Sequence, residues 1–248
     1  MDKYYNETPV VSMRNITKRF GDKEVLSNID FDLHKCEVHA LLGENGAGKT
    51  TLMNILYGMF APTDGAITIN GKTCANMTPK EAIDAGIGMV HQHFMLIEPL
   101  TVTENIILGY EEDTGLFLDR KKAREKIQNL SDEYSLHISP DAKVEDISVG
   151  QQQRVEILKA LYRGADVLIF DEPTAVLTPQ EIKEFIDIVN KLTTMDKSII
   201  IITHKLSEIK AMADYCTIIR RGKYIDKLKV ADIDENILAE KMVGRNVS

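Results

Sequence analysis

A glycine-rich loop between an apolar strand and a helix constrains this chain more than any other feature of its sequence. The loop runs from Gly43 to Thr50 and fits the spacing G-x-x-x-x-G-K-[ST], with an apolar run at 37–42 before it and a helix-like run at 51–57 after it. Glycines at three positions allow successive backbone N–H groups to point at one anion. The helix that follows adds the positive end of its dipole. The segment therefore predicts a phosphate-binding loop.

Two side chains at the end of the loop extend this prediction to a nucleotide triphosphate with magnesium. Lys49 can reach the β- and γ-phosphates as a point charge, and Thr50 can offer its hydroxyl to Mg²⁺. The loop alone is compatible with GTPases, kinases and ATPases. The residues expected at the phosphates are Gly43, Glu44, Asn45, Gly46, Ala47, Gly48, Lys49, Thr50 and Thr51.

An apolar strand at 166–170 ends in two carboxylates, Asp171 and Glu172. In an open parallel sheet, ligands bind beyond the carboxyl ends of the strands. Asp171 is therefore expected to hold Mg²⁺, directly or through water. Glu172 is the better candidate for polarising the attacking water.

The order of the remaining segments predicts an α/β fold. The first third alternates as strands do, at 10–17, 24–33 and 37–42, with a further short strand at 66–71. Helices at 119–135, 151–162, 179–192 and 235–242 are predicted, with apolar strands at 166–170 and 198–203 and a hairpin at 216–228. Short apolar strands that alternate with helices indicate a parallel sheet covered on both faces.

Five further segments make the chain resemble the nucleotide-binding domains of ABC transporters. Residues 147–154 (ISVGQQQR) are similar to the family's signature motif, and 171–174 (DEPT) to its extended Walker B motif. Gln92 lies where the family has its Q-loop, His204 matches the switch histidine, and Phe20 matches the aromatic residue that stacks on adenine. The order agrees as well, and the resemblance covers roughly residues 9–230. A joint match of this kind is far more specific than one motif.

The resemblance implies a P-loop, RecA-like core with a mostly parallel sheet, an antiparallel β subdomain and an inserted α-helical subdomain. The implied boundaries are 9–90 and 164–230 for the core with its antiparallel part, 91–163 for the helical subdomain, and 231–248 for a C-terminal helix.

The resemblance also implies ATP and Mg²⁺ as ligands and a site completed by a second cassette. In the family, two domains pair head to tail, and each signature motif closes over the γ-phosphate held by the other. Ser148, Gly150 and Gln151 would serve that purpose here, since Ser148 and Gly150 open a helix. The remaining implied residues are Phe20 and Val25 at the nucleotide, Thr50, Gln92 and Asp171 at the metal, and Glu172, His204 and Gln92 in catalysis.

Two groups of residues depart from the family pattern. The signature begins with Ile147 in place of leucine and has Val149 in place of its first glycine, and Thr178 stands where the family usually has the aspartate of the D-loop. These positions face the partner cassette. They put the partner's ATP site in question, while this chain's own Walker motifs are complete.

Within the family, the segments at 88–96, 148–159, 172–180 and 238–245 resemble the first cassette of tandem importer ATPases for simple sugars or nucleosides, and the first of them favours nucleosides. Members of that type carry two cassettes in about twice this length. The chain is therefore expected to be either a half-length subunit or, as we favour, the N-terminal half of a longer protein. Its partners would be a second cassette (that C-terminal half or a second copy), permease subunits and, indirectly, a solute-binding protein.

Composition limits the alternatives. A net charge of −8 argues against a generic nucleic-acid binder. The longest apolar stretches are too short to cross a bilayer, so the chain is expected at the cytoplasmic face of the membrane through its permease subunits. Two alternatives stay open: an ABC ATPase outside transport, and a domain that senses nucleotide with little turnover. The first would carry a long coiled coil or basic insertions, which this sequence lacks, and the second is disfavoured by the complete set of Lys49, Asp171, Glu172 and His204.

Overall fold

A single ten-stranded sheet organises the molecule in the computed structural model, which describes residues 4, 7–110 and 119–244. The strands, in chain order, are β1 (Val11–Phe20), β2 (Lys23–Leu33), β3 (Val38–Leu42), β4 (Asp64–Ile69), β5 (Lys72–Cys74), β6 (Ile87–Val90), β7 (Val167–Asp171), β8 (Ser198–Thr203), β9 (Tyr215–Arg220) and β10 (Lys223–Lys229).

The sheet has a parallel half and an antiparallel half. Its strand order is β5-β4-β1-β2-β10-β9-β3-β8-β7-β6. Strands β9, β3, β8, β7 and β6 are parallel neighbours, whereas β5, β4, β1 and β2 are antiparallel. Strand β10 joins the halves, because it pairs antiparallel with β9 and parallel with β2 through Lys223 and Ser27.

The register of the parallel strands brings three loops to one edge. Leu42 pairs with Thr203, and Asp171 pairs with Ile202. The phosphate loop, Glu172 and His204 each follow directly after one of these strand ends. Strands β3 and β8 are buried along their whole length, as expected for strands covered on both faces.

Helices cover both faces of the sheet. They are α1 (Lys49–Leu56), α2 (Pro79–Asp84), α3 (Val102–Ile107), α4 (Arg120–Glu133), α5 (Val149–Tyr162), α6 (Pro179–Thr194), α7 (Leu206–Met212) and α8 (Glu235–Val243). Helices α3, α4 and α5 lie between β6 and β7 in the chain and pack on one another. None of the helices among the described residues is both long and apolar enough to cross a membrane.

The α/β fold class is confirmed, with a mostly parallel core and an antiparallel part. The predicted strands and helices are present with shifts of at most three residues at their ends, and the strand at 198–203 has the predicted limits. The elements missing from the prediction are short: β5, β6, α2, α3 and α7 have three to seven residues each. The three helices have two turns or fewer, which is too short for a 3.6-residue period to show, and the two strands have only three and four residues. The subdomain boundaries stay a prediction.

Candidate functional site

The glycine loop ends in a helix start whose amide groups have no side-chain cap. Gly48 is the N-cap residue of α1, with φ of +107°, and Gly46 has φ of +81°. The first helical hydrogen bond runs from the Leu52 N–H to the Gly48 carbonyl, at 3.0 Å. The amides of the first turn that precede Leu52 therefore point out of the helix, where an anion can accept from them.

Two glycines of this loop are required by close packing beneath it. A Cβ atom at Gly43 would lie 2.5 Å from the Ile219 carbonyl oxygen, and one at Gly48 would lie 2.6 Å from Cδ2 of Leu26. Ala47 and Lys49 are also buried, whereas the rim is exposed. The rim consists of Glu44, Asn45, Gly46 and Thr50, with Thr51 partly covered.

Gly222 supports the loop from the β9–β10 turn, a contact that the sequence did not indicate. Its N–H donates to the Ala47 carbonyl at 2.8 Å, and its own carbonyl accepts from the Ser27 N–H at 2.8 Å. A Cβ at Gly222 would lie 2.0 Å from the Val25 carbonyl oxygen. Val25, predicted at the nucleotide, thus lies beside the phosphate loop. The sequence signal for Gly222 was only that of a hairpin turn.

Three predicted residues meet at the sheet edge. Oε1 of Glu172 lies 3.0 Å from Nδ1 of His204 and 3.7 Å from Nζ of Lys49. The Lys49 ammonium also donates to the Gly43 carbonyl and lies 3.5 Å from the Thr203 carbonyl. Burial lowers the pKa of Lys49, and the negative charges of Glu172 and Asp171 oppose that shift. A cation held here between carbonyl oxygens and a carboxylate can transfer its contacts to phosphate oxygens.

Glu172 adopts a backbone conformation that is unusual for a residue with a side chain. Its φ is +45°, and its N–H donates to the Ile202 carbonyl at 2.9 Å. Such conformations carry a strain of about 1–3 kcal/mol and persist where neighbouring contacts impose them. Among the described contacts, the strain occurs at the residue that joins Lys49 to His204.

Thr50 and Asp171, the predicted metal ligands, carry oxygen atoms of the kind that Mg²⁺ prefers. Burial and the neighbouring Glu172 charge raise the pKa of Asp171, an effect that a cation would relieve. Among the described residues no cluster of three or more His, Cys, Asp or Glu side chains could hold a metal. The donors present fit Mg²⁺, which binds through one or two protein oxygens together with substrate phosphates and water.

The Q-loop candidate lies in an exposed segment beside these residues. Gln92 follows β6 and is exposed. The neighbouring His91 and His93 oppose the rise in the pKa of Asp171, so both rings lie within electrostatic range of that carboxylate. The structure does not bring the Gln92 side chain into a hydrogen bond with Lys49 or Glu172 among the described contacts.

Phe20, predicted to stack on adenine, forms an exposed aromatic pair with Phe60, which the sequence did not predict. Phe20 is 44% exposed, and its ring lies 5.3 Å from that of Phe60 in an edge-to-face arrangement. Nζ of Lys18 lies 5.0 Å from the Phe20 ring centroid. An exposed ring is suited to stacking on a purine base. Phe60 and Lys18 are therefore additional candidates for base contacts.

The signature residues form a second, separate cluster. Ser148 is the N-cap of α5 in a capping box with Gln151: the hydroxyl accepts from the Gln151 N–H at 3.2 Å, and Oε1 of Gln151 accepts from the Ser148 N–H at 3.0 Å. The Gly150 N–H donates to Oε1 of Glu181 at 3.3 Å. A cavity of about 360 Å³ adjoins this helix start, and its lining includes no residue of the phosphate loop.

The departures from the family pattern also lie in this cluster. Val149 is 40% exposed on the first turn of α5. Thr178 caps α6, since its hydroxyl accepts from the Glu181 N–H at 3.3 Å and its own N–H donates to Oε2 of Glu181 at 2.9 Å. Thr178 thus has a local structural role in the position where the family usually has aspartate.

Comparisons with known proteins agree with this geometry. Residues 26–175 match the family model described as ABC transporter. The chain is 58% identical over 243 residues to the nucleoside import ATP-binding protein NupA of Lactococcus lactis subsp. cremoris, covering 98% of this chain and 48% of the relative. It is 55% identical over 239 residues to the guanosine import ATP-binding protein NupO of Bacillus subtilis, covering 96% and 47%. The chain thus spans about half the length of these curated relatives.

A solved structure shares the whole fold. The ATP-binding cassette MJ1267 of an ABC transporter, in its ADP conformation, superposes with a TM-score of 0.86. The two chains are 25% identical, and the match covers 96% of this chain and 98% of the other.

Proposed function

The chain belongs to the ABC transporter family, and from that premise we propose that it binds and hydrolyses ATP to drive the import of a nucleoside or simple sugar. The observation that carries the proposal is the meeting of Lys49, Glu172 and His204 beside the uncapped start of α1. The names of the relatives, which specify nucleoside and guanosine import, support nucleosides as the transported class.

The residues at the sheet edge divide the work between binding and hydrolysis. The loop amides and Lys49 hold the β- and γ-phosphates, and Phe20 and Val25 cover the base. Glu172 orients and polarises a water molecule for attack on the γ-phosphate. His204, 3.0 Å from the Glu172 carboxylate, holds that carboxylate in position. Thr50, Asp171 and Gln92 would bind Mg²⁺, which neutralises charge on the phosphate oxygens when bound.

A second cassette completes the site in this proposal. Ser148, Gly150 and Gln151 lie on a different surface from the phosphate loop, so one chain cannot close its own site with them. Head-to-tail pairing would place the start of α5 over the γ-phosphate held by the partner. The partner is the other half of a longer protein or a second copy of this chain.

A permease contact fits a cavity between the Gln92 segment and α5. The cavity has a volume of about 310 Å³, and Met59 and Met95 at its lining are 53% and 69% exposed. The Met95 N–H donates to Oε1 of Glu156 on α5 at 3.1 Å. A cytoplasmic segment of a permease bound there would contact both the Gln92 segment and the signature helix. The proposed contact would hold the chain at the cytoplasmic face of the membrane.

Glu172→Gln tests the proposed chemistry. The variant keeps the side-chain volume and removes the carboxylate charge, so we expect Mg·ATP binding to persist while hydrolysis falls by about 10²–10⁴-fold. The measurements are the equilibrium affinity for Mg·ATP and the phosphate release rate. Glu125→Gln, on the exposed face of α4, is the matched control. Unchanged turnover in Glu172→Gln would exclude Glu172 as the base, and Lys49→Ala with full ATP affinity would overturn the proposal itself.

A further inference from the structure

A buried polar network lies directly behind Glu172 and His204 and joins the loops that carry them. Its centre is Glu208 on α7, which is 6% exposed. The hydroxyl of Thr174, itself 2% exposed, donates to Oε1 of Glu208. The Thr203 hydroxyl lies 3.5 Å from Oε2. The carboxylate therefore connects the segment after Glu172 with the end of β8, one residue before His204.

Lys205 closes this network on its other side. Its N–H donates to the Thr203 hydroxyl at 2.9 Å, and its ammonium lies 3.2 Å from the Thr174 hydroxyl and 3.5 Å from Oε1 of Glu208. A buried carboxylate is costly unless it is paired and hydrogen-bonded. Glu208 meets both conditions, and its partners come from both loops.

Glu208 does not cap its own helix but bonds to a residue that is distant in the chain. It is the third residue of α7, where a glutamate commonly reaches back to a serine or threonine cap. The N-cap here is Lys205, which makes no side-chain cap hydrogen bond. Glu208 bonds to Thr174 instead, 34 residues earlier in the chain.

The Glu172 loop needs such support because of its backbone strain. With φ of +45°, Glu172 keeps its conformation only if the flanking residues are held. The Ile202 carbonyl holds its N–H, and the buried amide of Gln153 donates to the Pro173 carbonyl at 2.7 Å. Thr174 is the next residue, and Glu208 holds it.

We propose that Glu208 is a positioning residue for ATP hydrolysis, which sets the approach of the Glu172 carboxylate to His204 by tying Thr174 to the loop of His204. The inference rests on the proposed function. Glu208 does not contact the phosphate loop among the described contacts, so its role is in the rate of hydrolysis and not in nucleotide binding.

Glu208→Gln tests this role, because the amide has the same shape but carries no charge and offers one acceptor oxygen. We expect the Mg·ATP affinity to stay within about threefold of wild type. We expect the hydrolysis rate to fall by about 10- to 100-fold, as small displacements of reacting groups do. The assays use the 248-residue chain at a concentration that supports pairing. Glu235→Gln, an exposed acid in the first turn of α8, is the matched control and should keep both values.

Thr174 provides a second route that separates positioning from loss of structure. Thr174→Val removes the hydroxyl and should reduce the rate as Glu208→Gln does, whereas Thr174→Ser keeps the hydroxyl and should restore it. If both variants break one hydrogen bond, the double variant should be no slower than the more affected single variant. Melting temperatures identify any variant that has lost its fold.

Three results would count against the inference. An equal fall in affinity and rate for Glu208→Gln would indicate a general structural role, and multiplying losses in the double variant would show independent effects. If Glu208→Gln hydrolyses ATP at the rate of an active wild type, the positioning role is contradicted but the proposed function is not. A wild-type chain that neither binds nor hydrolyses ATP contradicts the proposed function and the positioning role together.

Discussion

The two helix starts that the proposed function assigns to phosphate, those of α1 and α5, are built in opposite ways. The α1 start has Gly48 as its N-cap, with φ of +107° and no side-chain cap. The α5 start has Ser148 in a reciprocal capping box with Gln151, and its Gly150 N–H is bonded to Glu181. One helix start leaves its amides open, and the other bonds them within the chain.

The difference indicates two modes of ligand capture. The α1 amides are held by packing beneath Gly43 and Gly48, so a phosphate meets donors that need no rearrangement. In the proposed function, the Gly150 N–H of α5 would exchange the Glu181 carboxylate for a phosphate, since both are anions and compete for one donor. Such an exchange would make the second interaction weaker and more easily reversed, as the proposed reopening of the cassette pair after hydrolysis requires.

Among changes at the two helix starts, the largest effect is expected from Gly48→Ala, which disturbs the start of α1. The new Cβ would lie 2.6 Å from Cδ2 of Leu26, at a φ that L-residues avoid. Left-handed strain of about 1–2 kcal/mol and crowding of about 1–3 kcal/mol would displace the loop. We expect Mg·ATP affinity to fall by about 100-fold, since each 1.4 kcal/mol is tenfold. Titration with a fluorescent ATP analogue measures it.

Gly71→Ala is the control for conformational strain alone. Gly71 has φ of +79° in the turn between β4 and β5, and a Cβ there meets nothing within 4 Å. We expect a lower melting temperature and unchanged affinity. If Gly48→Ala and Gly71→Ala bound ATP equally well, the packed loop before α1 would not be what holds the phosphates.

An intermediate effect is expected from Glu181→Gln, which removes the internal competitor at α5. We expect ATP-dependent pairing of cassettes at about three- to tenfold lower concentration, because roughly 1 kcal/mol is the typical difference between a charged and a neutral hydrogen-bond partner. Affinity for ATP at the chain's own loop should not change. Sedimentation with and without ATP distinguishes the two quantities.

Mild acidification near neutral pH should not remove the Glu181 charge and so should not enhance pairing as Glu181→Gln does. The Thr178 N–H bond, followed by the Thr178 hydroxyl and the Gly150 N–H, outweighs burial and lowers the pKa of Glu181. A carboxylate with a lowered pKa contributes stability above its unfolded pKa and loses it as pH falls through the folded value. Glu181 therefore stays charged at Gly150 until the pH is below the ordinary range of a glutamate.

Glu81→Gln is the matched control for Glu181→Gln. Glu81 holds the same position in a Thr-Pro-x-Glu capping box at α2, where its Oε2 accepts from the Thr78 N–H at 2.7 Å. It has no contact with the signature helix among the described residues. A glutamine can still form this box, as Gln151 does at α5, so the change weakens the cap and should lower stability slightly in both variants. Enhanced pairing is expected in Glu181→Gln only, because Glu81 is not bonded to a signature amide. Equal pairing of the two variants would remove the proposed competition.

Sequence patterns predicted the residues that local spacing defines. Glu172 follows β7 directly, and Lys49 ends the loop that follows β3. Because parallel strands end at one edge of the sheet, the meeting of these two residues could be inferred from their order alone. The strand at 198–203 was predicted with its observed limits because four consecutive isoleucines are bounded by polar residues.

Contacts between distant segments could not be predicted in this way. Glu181 and Gly150 lie 31 residues apart in the chain. Gly222 follows β9 and bonds to Ala47 in the loop after β3, a strand that neighbours β9 in the sheet but is distant from it in sequence. The sequence Thr-Pro-x-Glu indicates that Glu181 caps α6. The bond from the Gly150 N–H to Glu181, however, depends on how α5 and α6 pack against each other. Phe60 was missed for the same reason, because only the turn after α1 brings it to Phe20.

The smallest effect is expected from Ser148→Ala, which opens the α5 start without adding a ligand. Loss of the capping box should cost about 1 kcal/mol of unfolding free energy, or roughly 2–4 °C in melting temperature for a chain of this size. Thr101→Ala is the matched comparison, since Thr101 and Glu104 form the same box at α3. Both variants should keep the ATP affinity of the unpaired chain. A loss of that affinity in Ser148→Ala alone would mean that the two helix starts communicate within one chain, and the division between an open and a self-bonded site would not hold.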